Sequence, residues 1–181
     1  MHCFVTVGST KFEGLVESVL SNEVLSALQH LQFKELFIQC GSGEIPEGFK
    51  KVGKQGDGDA EQSWCDVRCG IEIHIFHYKR NISAEMRRAD LIIGHAGAGT
   101  TLESLELGKP LVVVINEALA DNHQLELAER LAHDRHLLFT VPKKLADTLE
   151  DINLFKLESF PKADPLVFAN FLNGQLSLKF D

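Results

Sequence analysis

The chain is short of positive charge, long hydrophobic runs and organised cysteines, and each shortage excludes a class of protein. Lysine and arginine number 18 against 26 aspartates and glutamates, a formal charge of −8. A general nucleic-acid binder needs a basic stripe, so no nucleic-acid partner is expected. A single nucleotide stays within reach, because one helix start and a few donors suffice to hold a phosphate. No apolar run approaches the ~20 residues that span a bilayer. The opening "MHCFVTVGST" leads into a strand pattern rather than a secretory signal. A soluble, cytosolic chain is the expectation. Of the four cysteines, only Cys65 and Cys69 are close, as C-x3-C with no second pair, so reduced thiols are expected and no metal. The dinucleotide fingerprint G-x-G-x-x-G is missing, since Leu102 stands where its last glycine would follow Gly97 and Gly99. That disfavours a hydride-transfer cofactor. Asp57-Gly58-Asp59, the nearest approach to a metal-holding pair, sits in unpatterned sequence and reads as solvated.

What is present is a regular alternation. At 181 residues the chain is expected to form a single domain over 1–181 with a proper core. Apolar, β-branched stretches predict strands at 3–7, 35–40, 71–76, 90–95, 110–115 and 136–141. Apolar residues at three- and four-residue steps predict helix over 12–31, broken near Ser21-Asn22, and shorter helices at 83–89, 99–108 and 121–133. A further helix is expected to start at Pro142, where a missing N–H costs nothing. Residues 44–70 carry excess glycine, aspartate and lysine without a period and are read as a loop insertion. A tail at about 163–181, with Leu166, Val167, Phe168, Phe171 and Leu172, is expected to be helical, packing on its own sheet or on a partner. Strand–helix alternation of this kind predicts an α/β fold, a doubly wound and mainly parallel sheet. Such sheets bind ligands at the carboxyl ends of their strands, where the strand order reverses.

Two glycine-bearing turns fall at those ends. In "FVTVGSTKF" a strand runs into Gly8, Ser9 and Thr10 before a helix, offering amides, two hydroxyls and a helix dipole to a phosphate. The plainer alternative makes Ser9 or Thr10 an N-cap. In "GHAGAGTTLE" Gly97 and Gly99 free the backbone, Thr100 and Thr101 bring hydroxyls, and Glu103 is expected in the first helical turn. There a carboxylate is favoured by the dipole, or it accepts hydrogen bonds from a diol such as a ribose. His95 is a capping group, a phosphate donor or a base. In "DNHQLELAERL" the amides of Asn122 and Gln124 flank His123 at a helix start and suit either sugar hydroxyls or capping.

Taken together, "FVTVGST", "ADLIIGHAGAGTTLESLELGKPLVVVIN" and "DNHQLELAERL" resemble a family of cytosolic subunits. These belong to the eukaryotic UDP-N-acetylglucosamine transferase of lipid-linked oligosaccharide synthesis. The chain is similar there to the C-terminal half of two-domain GT-B glycosyltransferases, such as the bacterial enzyme of lipid-linked peptidoglycan synthesis. The resemblance covers 1–43 and 71–141, with three motifs in order. It implies a Rossmann-like, sugar-nucleotide-binding fold. It implies that Gly8, Ser9 and Thr10 hold the diphosphate or face the cleft, that Gly97, Ala98, Gly99 and Thr100 meet the phosphates, and that Glu103 holds the ribose. Gln124 would contact the sugar with Asn122 and His123 close by, and His123 replaces a glutamine frequent in the bacterial enzymes. The segment 76–81, with His77 and Tyr78, would lie beside the uracil.

The reaction so implied moves N-acetylglucosamine from its UDP conjugate to dolichyl-diphosphate-N-acetylglucosamine, with inversion, without an obligatory metal or other cofactor. The acceptor site and general base would belong to a membrane-anchored partner subunit at the cytoplasmic face of the endoplasmic reticulum. Two other readings share the fold: a non-catalytic regulatory or interaction module, and another nucleotide-sugar binder such as an epimerase-like protein.

Overall fold

The computed structural model describes residues 1–52, 63–79, 81–117, 122–151 and 153–161, with the backbone alone for 122–124. Among them one sheet of eight strands runs in the order β3-β4-β5-β2-β1-β6-β7-β8. The strands are β1 (His2–Thr6), β2 (Glu35–Gln39), β3 (Lys50–Val52), β4 (Ser63–Arg68), β5 (Ile71–Phe76), β6 (Leu91–His95), β7 (Leu111–Val114) and β8 (Leu138–Thr140). The run from β5 through β2, β1, β6 and β7 to β8 is parallel throughout. The chain builds outward from β1 to β2 and β5, then returns to the other side of β1 for β6, β7 and β8. The order therefore reverses between β1 and β6, which defines the crevice where doubly wound sheets hold ligands.

Alternate side chains along each strand go to opposite faces, and each face has its own core. Cys3, Val5, Leu36, Ile38, Ile73, Ile75, Ile93 and Val112 pack on one side. They meet α1 (Glu13–Val19), α2 (Asn22–His30) and α6 (Leu145–Leu149). Phe4, Ile92, Leu111 and Val113 pack on the other side, with Met86 of α3 (Ser83–Arg88), Leu105 of α4 (Ala98–Glu106) and Ala128 and Leu131 of α5 (Asn122–His133). Burial on both faces is why these strands read as continuous branched runs. The expected break in the first helix is at Ser21, whose hydroxyl accepts the Val24 N–H at 3.3 Å and starts α2. The helix expected from Pro142 opens as a 3-10 turn over Pro142–Lys144 and continues as α6.

One expectation is corrected. Residues 44–70 are not a loop throughout: β3 and β4 add antiparallel strands to the β5 edge. β3 is fully exposed and β4 mostly half-buried, so neither shows an apolar period. Residues 53–62, with Asp57 and Asp59, lie outside the described residues, as does the tail from 162 to 181.

The C-terminal end of β1 is fastened by a buried polar contact. The Thr6 hydroxyl donates to Gln39 Oε1 at 2.6 Å and accepts the Gly8 N–H at 3.0 Å; both side chains are buried. Thr6→Val keeps the shape but leaves Gln39 and the Gly8 amide without this partner. Urea unfolding of Thr6→Val is expected to show a loss of about 1–3 kcal/mol. An unchanged midpoint would show that this contact does not fasten the turn.

Candidate functional site

The turns that follow β1 and β6 meet on one rim. The two strands are neighbours, with Thr6 opposite Gly94, and His95, the last residue of β6, fills the space between the turns. Gly8 has φ +69°, and a Cβ built there would stand 3.2 Å from His95 Cε1. On Gly97 a Cβ would stand 2.8 Å from Cε1 and 2.9 Å from Nε2, closer than real side chains pack. At Gly97 the imidazole takes the space of a Cβ, and at Gly8 the left-handed φ, with the ring close by, calls for glycine. The His95 Nδ1 is buried and has no hydrogen-bond partner among the described residues. Burial pushes its pKa below the ordinary 6.5, so the ring is neutral at pH 7.

α4 starts directly beyond this ring. Its N-cap is Gly97, which has no side chain to satisfy the first amides, and its first turn carries no acidic residue. The Gly97 N–H donates to His95 O at 2.7 Å, and the Thr101 N–H donates to Gly97 O at 3.0 Å. The amides of Ala98, Gly99 and Thr100 precede the first intrahelical bond and are left open. Ala98 and Gly99 are exposed, and a Cβ on Gly99 would meet nothing within 4 Å. Open amides at the positive end of a nine-residue helix make a seat for an anion.

The turn after β1 is built differently from the expectation. Neither Ser9 nor Thr10 caps α1: the cap is Phe12, without a side-chain bond. The Thr10 hydroxyl donates to Val7 O at 2.8 Å, and the Gly8 N–H is taken by Thr6. Glu13 occupies the first turn of α1, so its carboxylate meets the positive end that an anion would need. Ser9 and Thr10 remain exposed on the rim.

Glu103 is also displaced from its expected place. α4 begins at Ala98, which puts Glu103 in the second turn and removes the first-turn dipole explanation for a carboxylate there. It shares a helix face with Gly99 and Thr100, about one turn away (~5.4 Å). Its Oε1 accepts a 2.6 Å hydrogen bond from Ser83 Oγ, a residue that sequence reasoning did not single out. Thr101 is buried and withdrawn from the rim, whereas Thr100 is half-buried. Asn122, His123 and Gln124 open α5, and their side chains lie outside the described residues. His77 and Tyr78 follow β5, two strands from β1. The His77 Nδ1 lies 3.2 Å from Gly41 O, with its ring edge-on to Trp64 at 5.3 Å, and Tyr78 is exposed.

Residues 2–173 match the model of the glycosyltransferase family 28 C-terminal domain. The chain belongs to that family. The family 28 domain is 40% identical over 141 residues to the UDP-N-acetylglucosamine transferase subunit ALG13 of Homo sapiens, covering 77% of this chain. It is 41% identical over 139 residues to the subunit of the same name from Yarrowia lipolytica, covering 76% of this chain. The matched regions make up 11% of the human protein and 64% of the Yarrowia protein. An NMR solution structure of ALG13 superposes with a TM-score of 0.66 at 27% identity, covering 94% of each chain. The crystal structure of Acinetobacter baumannii MurG matches with a TM-score of 0.55 at 21% identity, over 97% of this chain and 42% of that one. The MurG likeness shows the fold alone, a Rossmann-like α/β domain. Among the described residues no helix is long and apolar enough to cross a membrane.

The buried neutral imidazole ties stability to pH. In the folded state His95 binds a proton less readily than in the unfolded chain, so its contribution is present above pH 6.5 and lost as pH falls through its lowered folded value. Unfolding free energies for the wild type and His95→Gln across pH 5–8 are expected to converge, or cross, as pH drops below about 6.5. A pH-independent difference would show that His95 titrates as it does in the unfolded chain.

Proposed function

We propose that this family 28 domain is the donor-binding subunit of a heteromeric, inverting N-acetylglucosaminyltransferase. The donor is UDP-N-acetylglucosamine and the acceptor a dolichyl-diphosphate-linked N-acetylglucosamine. A membrane-anchored partner supplies the acceptor site and general base and holds this chain at the cytoplasmic face of the endoplasmic reticulum. The observation that carries the reading is the open start of α4 beside His95, at the β1–β6 reversal. The names of the relatives support the sugar nucleotide, and the word subunit in them supports a partner.

In the reaction the acceptor hydroxyl attacks the anomeric carbon as the bond to the UDP oxygen breaks. The bonding pair leaves on the β-phosphate, and the hydroxyl proton passes to the partner's base. Negative charge therefore grows on the diphosphate in the transition state. The amides of Ala98, Gly99 and Thr100 point where that charge appears, and fixed dipoles of this kind need no reorganisation as it develops. His95, held neutral, brings a polar ring to the same place without a charge of its own. Gly8 and Gly97 leave room for that ring, and Ser9 and Thr10 border the cleft. Glu103, one turn along α4, takes the ribose hydroxyls, and the α5 start with Asn122, His123 and Gln124 faces the sugar. His77 and Tyr78 stand on the uracil side. Amides and a helix end supply the counter-charge, so no resident metal or cofactor is required.

Two measurements test the reading. Ligand NMR or calorimetry is expected to show UDP binding in preference to NAD, weakly for the isolated chain. Glu103→Ala is expected to weaken UDP binding by about 1.5–3 kcal/mol. Failure to bind any uridine nucleotide, even with the partner present, would remove the enzyme reading in favour of a regulatory module. In the second measurement, co-expression with a membrane subunit is expected to be needed for sugar transfer to a lipid acceptor. Full activity from this chain alone would overturn the division of labour.

A further inference from the structure

The Glu103 carboxylate is held by a residue from a different helix, and that hold sets what it can recognise. Ser83 is the first residue of α3, twenty positions before Glu103 in the chain. Its hydroxyl donates to Glu103 Oε1 at 2.6 Å, within the short range of hydrogen bonds to an ionised oxygen. Its own N–H donates to Asn81 Oδ1 at 2.8 Å. Ile82 and Met86 on either side pack into the core beneath. The start of α3 is therefore fastened from the backbone and from below, and Ser83 Oγ is presented from a supported position. A serine hydroxyl carries a single proton. With that proton committed to Oε1, one oxygen of Glu103 is tied to α3. Oε2 accepts no hydrogen bond from a described residue and keeps its full capacity.

We infer that Ser83 is a positioning residue for ribose recognition: by holding Glu103 Oε1 it presents Oε2 to the vicinal hydroxyls of a nucleotide's sugar. The inference rests on the donor-binding reading above and deepens it. A glutamate on a half-exposed helix face has several side-chain rotamers, and ordering it on binding costs conformational entropy. The bond from Ser83 removes that cost beforehand. A diol gains from the ordered carboxylate because its two hydroxyls are fixed relative to one another. A sugar with one hydroxyl gains less. Ser83 touches no ligand itself, so its effect appears as discrimination between ribose and deoxyribose rather than as loss of diphosphate binding. The contact also joins the segment after β5 to α4, so the uracil and ribose sides of the proposed site share one polar link.

The test is NMR titration of the full chain with UDP and 2′-deoxy-UDP, for the wild type, Ser83→Ala, Ser83→Thr, Glu103→Ala and the Ser83→Ala/Glu103→Ala double variant. Ser83→Ala is expected to lower the preference for UDP over the deoxy analogue by roughly three- to tenfold and to leave 2′-deoxy-UDP binding nearly unchanged. Ser83→Thr, which keeps the hydroxyl, is expected to restore the preference. In the Glu103→Ala background the serine change is expected to have no further effect, because Ser83 acts through Glu103. An unaltered preference in Ser83→Ala overturns the inference while leaving the nucleotide reading intact. Tighter UDP binding in that variant also overturns it, since Ser83 would then be competing with the ribose. A wild-type chain that binds neither nucleotide, even with the partner present, overturns the donor reading and this inference with it.

Discussion

The rim of this sheet depends on one steric fact: the imidazole of His95 lies against two backbone segments that have no side chain at the contact. The ring is at the end of β6, Gly8 follows β1, and Gly97 opens α4. Parallel pairing of β1 with β6 brings the three together. With a Cβ on Gly97, the ring or the helix start would have to move, and the open amides of α4 would move with it. Packing at this point thus fixes where those amides lie on the rim. The same crowding buries Nδ1 and keeps the ring neutral, so His95 adds no charge of its own at the start of α4.

The two turns share an edge but not a chemistry. α4 begins on a glycine cap with no acid in its first turn, whereas α1 begins on Phe12 with Glu13 next to it. A carboxylate at a helix start cancels the field that would attract an anion. The Gly8 amide is in turn consumed by Thr6, whose hydroxyl also reaches Gln39 of β2. Thr6 thus fastens the start of the first turn and links β1 to β2, while Ser9 and Thr10 stay exposed on the rim. The second turn leads into a helix start whose first amides have neither a side-chain cap nor an acid beside them. The difference makes the start of α4, on the β6 side of the crevice, the better seat for an anion.

Much of the fold was legible because the inner strands are buried on both faces. Runs such as "LVVV" and "LIIG" are found only where helices cover both sides of a sheet, and they lie within a residue or two of their expected bounds. The β3–β4 extension was not legible. Its residues face solvent on an edge, and lysines, aspartate and cysteine carry no apolar period that marks a strand. In the site, His95 and the glycines stood out by composition. Glu103 falls in the second turn rather than the first because α4 already starts at Ala98, a residue before its expected bound. Ser83 had no signal at all beyond its Asn-x-Ser helix start, since its partner is twenty residues away.

Local order and patterning determined the alternation of strands and helices, the parallel sheet and the presence of two glycine turns at strand ends. These depend on side-chain periodicity and on backbone freedom, which are properties of neighbouring residues. Only the tertiary structure decided that Thr6 takes the Gly8 amide while reaching Gln39, that His95 is neutral and caged, and that Ser83 holds Glu103. Each of those rests on a hydrogen bond, a burial or a missing Cβ between segments far apart in the chain, and no local pattern encodes such a distance.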